Sequence, residues 1–236
     1  RMHPSICEFV NRNYYNGGLD AVPLPHQQEP LAFGTRPDDD RWTAFVGGTR
    51  MAFISVQADE AEYYTKIESK QEQTELAQSL PSVGDSSKSN KREAETVARL
   101  VHTLCQLHSR SGIPFSPCKQ IGIIVPFRAQ IAMIRKALAE RHIPDTADIT
   151  IDTVERYQGS QRDIIIFSTT VSHPYQLSIL SEPIMTDGRE IDRKLNVALT
   201  RARKQFFMTG NETLLRNCTA YREFLDFLSK EQILRL

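Results

Sequence analysis

The sequence has no long apolar run. Nothing in its 236 residues approaches the ~20 consecutive apolar positions that span a bilayer, which excludes a transmembrane helix. It has no excess of charge: Lys plus Arg and Asp plus Glu each number 29. That balance excludes a uniformly basic nucleic-acid coat, an acidic tail protein and a strongly disordered chain, while leaving room for a local basic groove. Cysteines are few and scattered. Cys7, Cys105, Cys118 and Cys218 form no Cys-x-x-Cys pair and have no His cluster nearby, so no zinc site is indicated. Separated thiols of this kind fit a reducing, cytoplasmic setting. The opening Arg-Met-His-Pro lacks a signal-peptide pattern. What remains, 40% hydrophobic and 25% charged residues, is the composition of a globular chain with room for a generous core.

The pattern along the chain is that of an α/β domain. Residues 1–19 read as a short amphipathic helix with Ile6, Phe9 and Val10 on one side, and residues 20–50 as a Pro-, Gly- and Asp-rich loop. MAFISV at 51–56 reads as a strand. The stretch 57–92 reads as a solvated helix followed by a mobile loop. From residue 93, Ala94, Val97, Ala98, Val101, Leu104 and Cys105 recur at helical spacing, and the helix should stop near Ser111-Gly112. IGIIV at 121–125 is continuously apolar, as a strand buried on both faces must be. A helix to about Arg141, strands at 149–151 and 163–167, a helix over 193–203, a strand over 205–209 and a helix over 221–228 complete the alternation. Alternating strands and helices predict one domain with a mostly parallel sheet and helices on both faces.

Ligands of open parallel sheets bind beyond the carboxyl ends of the strands, so the residues following each strand carry the chemistry. After 121–125 comes PFRAQ, with Pro126, Arg128 and Gln130. After 149–151 comes DTVERYQG, in which Thr153, Arg156 and Gln158 offer a hydroxyl, a cation and an amide suited to phosphate or sugar, and Gly159 permits a tight turn. The third cluster is DRKLNVALTRAR at 192–203. On a helix it buries Leu195, Ala198, Leu199 and Ala202, with Asn196, Thr200 and Arg203 near a second stripe and Arg193, Lys194, Arg201 and Lys204 adding positive charge. An Arg at such a helix end can grip an anion bidentately, as phosphoryl transfer requires.

Each segment alone is generic, but their order and spacing together are not. The chain resembles the second RecA-like domain of superfamily 1 helicases, in the 5′-to-3′ branch that holds the nonsense-mediated-decay helicase and senataxin. Arg-Met-His-Pro at 1–4 resembles that family's Tyr-Arg-Met-His-Pro segment. IIVPFRAQ at 123–130 resembles motif IV, DTVERYQG at 152–159 motif V, and RKLNVALTRAR at 193–203 motif VI, with Gly210-Asn211 after the next strand. The resemblance covers nearly the whole chain apart from loop insertions at about 20–50 and 66–90. It implies that Arg1 contacts ATP phosphates, that Arg201 is the arginine finger, and that Gln161 stands where the family commonly has a ribose-binding Glu. Pro126, Arg128 and Gln130 would lie near a single strand of DNA or RNA, with Thr153 on its backbone. Lys194 replaces the second Arg of a usual Arg-Arg pair, keeping the charge and losing the fork.

No Gly-x-x-x-x-Gly-Lys-Ser/Thr occurs, and no apolar strand ends in an Asp-Glu pair. In the family those parts, with the ligands of ATP-bound Mg²⁺, belong to a first RecA-like domain preceding Arg-Met-His-Pro. The expectation is therefore a C-terminal motor-domain fragment, spanning 1–236, that is inactive as an ATPase alone. The alternative is a nucleic-acid or protein binding module without motor activity. A nuclease is disfavoured, since no paired acids with a suitably spaced Lys are found.

Overall fold

The computed structural model describes residues 1–236 apart from 21, 32, 34, 35, 57–87, 158 and 187. Six strands form one sheet in the order β3-β2-β4-β7-β1-β8, and every neighbouring pair is parallel. The strands are β1 (Met51–Ser55), β2 (Ile121–Val125), β3 (Thr150–Thr153), β4 (Arg162–Ser168), β7 (Ala202–Gly210) and β8 (Ile233–Arg235). Between β4 and β7 the chain makes a separate antiparallel hairpin, β5 (Pro183–Thr186) and β6 (Arg189–Asp192). The helices are α1 (Pro4–Tyr14), α2 (Pro25–Gln28), α3 (Arg41–Gly48), α4 (Lys91–Arg110), α5 (Pro117–Gln120), α6 (Arg128–Glu140), α7 (Leu177–Leu180), α8 (Arg193–Thr200), α9 (Glu212–Leu215) and α10 (Thr219–Phe227).

The apolar strands bury side chains on both faces because each face is roofed. Ile121, Ile123 and Val125 of β2 and Ile164 and Ile166 of β4 join Val97, Val101 and Leu104 of α4 and Ile134 and Leu138 of α6. On the opposite face Ile124, Ile165, Phe167, Phe206 and Met208 meet Ile6, Phe9 and Val10 of α1, Leu195 and Leu199 of α8, and Phe224 of α10. The period-2 alternation within each strand thus feeds two cores, and the period-3.6 stripes of the helices close them. Among the described residues no helix is long and apolar enough to cross a membrane.

Several expectations are corrected. Residues 20–50 are not all loop: Asp40 accepts the Thr43 N–H at 2.6 Å and caps α3, whose Trp42 and Val46 enter the core. Asp39 of the same acidic run receives the Arg110 guanidinium. The helix expected over 193–203 ends at Thr200, because Arg162 N–H takes Arg201 O at 3.1 Å and Ala202 pairs with Arg162 to begin β7. Arg203 is therefore a strand residue, not part of a helical stripe. The hairpin β5–β6 and the edge strand β8 carry no strong periodicity and are not foreseen. Most of the solvated helix and loop expected over 57–92, and of the insertion at 66–90, lies outside the described residues, while Lys91 and Arg92 already belong to α4.

Candidate nucleotide and nucleic-acid edges

The sheet presents two edges, and the sequence-derived candidates divide between them. Arg201, Gln161 and Arg1 gather at the amino edge, where β4 and β7 begin. Arg162 N–H donates to Arg201 O, which sets Gln161 beside Arg201, and His3 N–H donates to Arg203 O at 2.8 Å, which brings the start of the chain alongside. Met2 O accepts from Gln27 Nε2 at 2.7 Å and Arg1 O from His26, so α2 pins this segment down. The candidates expected after every strand do follow β2 and β3 in space, but Arg201 precedes β7. The crossover through α8 returns the chain to the amino edge and delivers Arg201 before the strand.

Arg201 is aimed by a short, well-capped helix. Asp192, fully buried, accepts the Leu195 N–H at 2.7 Å as N-cap of α8, and Leu195, Ala198 and Leu199 are buried beneath it. The Arg201 guanidinium bonds only within its own last turn, to Val197 O at 3.3 Å and Thr200 Oγ1 at 3.2 Å, with no carboxylate partner among the described residues. Arg1 is exposed and Gln161 half-buried, its side chain without a hydrogen bond among the described residues. His3 is held below its ordinary pKa by burial and by the charges of Arg50 and His26, as expected in a positive neighbourhood. Such an edge suits an anion bearing a sugar.

Lys194 does not join this group. Its ammonium donates to Ile179 O at 2.8 Å, pairs with Glu182 at 2.9 Å and with Glu155 at 3.7 Å, and its side chain is only 11% exposed. A point charge surrounded by three acceptors needs no guanidinium fork, which accounts for Lys where an Arg is usual.

Pro126, Arg128 and Thr153 gather at the carboxyl edge. Val125 pairs with Thr153, so the β2 and β3 exits are neighbours, and Arg128 opens α6 exposed to solvent. Thr153 O accepts the N–H groups of Arg156 and Tyr157 at 3.1 and 3.0 Å, closing a turn that leaves Arg156 exposed and drives Tyr157 inward. Tyr157 is buried against Gly122, where a Cβ would lie 1.9 Å from its Oη. The glycine inside IGIIV exists for this ring. Gln158 lies outside the described residues.

Gln130 is corrected. It is fully buried, its Oε1 accepting Asn90 N–H at 2.8 Å and its Nε2 donating to Asn90 O at 3.1 Å and Ser168 Oγ at 3.4 Å, so it is not a surface contact. Close by lies a residue that sequence reasoning missed. Glu93 is completely buried where β4 and β7 end, and burial pushes its carboxyl up to about 7 against hydrogen bonds from Thr209, Thr170 and Ser168. The only signal was Asn90, three residues ahead, as a cap; in the polar first turn of the helix Glu93 reads as solvated.

A family model described as "AAA domain" matches residues 1–213. "Putative helicase MOV-10" of Gallus gallus is 33% identical over 147 residues, covering 60% of this chain and 15% of its own length. "DNA polymerase alpha-associated DNA helicase A" of Saccharomyces cerevisiae is 28% identical over 92% of this chain and 27% of its own. "Regulator of nonsense transcripts 1 homolog" of Arabidopsis thaliana is 30% identical over 91% of this chain and 14% of its own. The chain thus spans no more than 27% of the length of these three relatives. With the parallel RecA-like sheet, motifs IV to VI in register and the family match over 1–213, the chain belongs to the AAA domain family as a superfamily 1 helicase domain.

Proposed function

We propose that the chain is the C-terminal motor domain of an ATP-dependent helicase or translocase, working with a preceding RecA-like domain that carries the phosphate loop. The division of functional groups between two edges of one sheet carries this reading: arginines free for an anion at one edge, exposed cations and a hydroxyl at the other. Bound ATP with Mg²⁺ would supply the phosphoryl-transfer chemistry, the metal ligands lying on the preceding domain. Arg201 would set its guanidinium against charge developing on the γ-phosphoryl group, and Arg1 would lend a second cation. Gln161 would hydrogen-bond a ribose hydroxyl without adding charge. Arg128 and Thr153 would hold the backbone of a single strand, with Pro126 beside it. One relative's name specifies a DNA helicase and another's a regulator of nonsense transcripts, so the strand is given by class, single-stranded DNA or RNA. The four free cysteines support an intracellular, cytoplasmic setting.

Steady-state ATPase tests this. The chain alone should turn over negligibly, and joining it to the phosphate-loop domain should give ATPase stimulated by single strands. There, Arg201→Ala should lower kcat by roughly 10³-fold or more, the scale of arginine fingers. Unchanged turnover would sink the assignment, and strand-stimulated binding without any ATPase in the joined protein would favour the binding-module alternative.

A further inference from the structure

Where β4 and β7 end, four residues close a ring of side-chain and backbone hydrogen bonds. Asn90 Oδ1 accepts Glu93 N–H at 3.0 Å. The Asn90 backbone is gripped on both sides by the Gln130 amide, and Gln130 Nε2 donates on to Ser168 Oγ. Ser168 Oγ–H donates to Glu93 Oε1 at 2.9 Å and completes the circuit. Glu93 reaches further: Oε1 also accepts Thr209 Oγ1–H at 2.7 Å, and Oε2 accepts Thr170 N–H at 2.9 Å. Thr170 sits at φ 65°, a left-handed conformation that costs a β-branched residue energy and persists only when its surroundings hold it. All of these residues except Asn90 are buried.

Burying a carboxylate among hydroxyls and backbone N–H groups, with no cation among these partners, is an expensive way to hold strand ends that apolar side chains would hold by packing. Directional bonds give something packing does not, a fixed orientation for each partner. Here the partners are α4, the first turn of α6, and the exits of β4 and β7. We propose that Glu93 is a positioning residue of the carboxyl edge. Through Ser168 and Gln130 it fixes the β2–α6 turn that carries Pro126 and Arg128, so that a single strand meets a preformed surface. This rests on the reading of that edge as the single-strand site. Gln130, inside motif IV, acts from beneath the surface and not on it.

The chemistry of the ring predicts which replacement survives. Both groups on Oε1 are hydroxyls, which can rotate to accept, whereas Thr170 N–H can only donate. A Gln at position 93 can therefore turn its NH₂ to Ser168 and Thr209 and its oxygen to Thr170, while Ala leaves the Thr170 N–H and the Thr209 hydroxyl without this partner and Ser168 bonded to Gln130 alone.

Fluorescence anisotropy of the chain with labelled oligo(dT) and oligo(U) tests this, at a temperature where circular dichroism shows each variant folded. Glu93→Ala and Gln130→Ala should each weaken Kd by about tenfold, a loss of about 1.4 kcal/mol. The double variant should be no weaker than the worse single, since both break one ring. Glu93→Gln should rescue binding. A merely structural role would lower Tm and leave the Kd of folded molecules unchanged. If Glu93→Ala does not fold, Gln130→Ala decides: folded with unaltered Kd, it overturns the inference, as does Glu93→Gln binding as poorly as Glu93→Ala. Should the chain bind no strand, or bind equally well after Arg128→Ala, the reading of the edge itself fails. If Arg128→Ala weakens binding and Gln130→Ala does not, only the positioning role falls.

Discussion

Glu93→Gln also probes the energetics of burying this carboxylate, with a sign that can be worked out. The folded chain holds the Glu93 proton up to about pH 7, against an ordinary value of 4.5. At about 1.4 kcal/mol per pH unit, that gap corresponds to about 3 kcal/mol of linked stability. Because the folded state binds the proton more tightly than the unfolded state, acid favours folding. The contribution is fully present below pH 4.5, is lost as pH rises through about 7, and is flat above. Glutamine has no proton to lose and keeps the hydrogen bonds, so at pH 8 the variant should be the more stable by up to about 3 kcal/mol. For a domain of this size that is a Tm higher by roughly 6–12 °C. The advantage should shrink steadily towards pH 5. Taking the difference between two proteins cancels other titrations, such as that of Asp39, which the Arg110 guanidinium holds down to about 2. The assay is thermal unfolding followed by Trp42, the single tryptophan, buried with its Nε1–H donating at 2.7 Å to Thr103 of the helix that carries Glu93. A variant no more stable than the parent at pH 8, or a difference independent of pH, refutes the reasoning.

Gly122→Ala should destabilise the chain by about 1–3 kcal/mol, seen as a lower midpoint in urea, because its Cβ would meet the buried Tyr157. An unchanged midpoint would mean that the motif V turn can lift off the sheet. Asp192→Ala removes the cap of α8 and should cost about 1 kcal/mol by the same measurement, with Asp192→Asn recovering most of it. In the protein joined to its phosphate-loop domain, Asp192→Ala should also lower ATPase through Arg201, and full activity would remove the aiming role given to that helix. Binding of oligo(dT) or oligo(U) should weaken linearly in a log–log plot against salt, and Arg128→Ala should make that slope shallower. An unchanged slope would remove Arg128 from the phosphate contacts.

Much of the sheet was legible because its strands are buried on both faces and read as unbroken apolar runs. Ile121–Val125 matches its strand residue for residue. Elements held by capping and long-range pairing were not legible. α3 depends on Asp40 as cap and on Trp42 reaching α4, and the end of α8 depends on Arg162 from a distant strand. The candidate residues can be named from the sequence, but not which way they point. Gln130 and Arg128 lie two apart in PFRAQ, and only the first turn of α6 turns one into the core and the other to solvent. Glu93 was invisible for a general reason: a carboxylate among helical polar residues reads as solvated until the elements packed around it are known.

In the proposed reading, the topology lets one neutral chain carry two chemistries. β7 has nine residues, and at about 3.3 Å each it sets roughly 30 Å between Arg201 before it and Gly210 at its end. That is several Debye lengths at physiological salt, so cations at one edge neither repel nor reinforce those at the other. Elsewhere charges are neutralised locally, Arg203 and Lys204 on Asp163, Lys204 on Glu29, and Lys194 on Glu182 and Glu155. Arg201 and Arg128 stand apart from these paired cations, neither having a carboxylate partner among the described residues. In the proposed reading, the stiffness of the strands between the edges is what lets a change sensed by Arg201 move the Arg128 edge as one body.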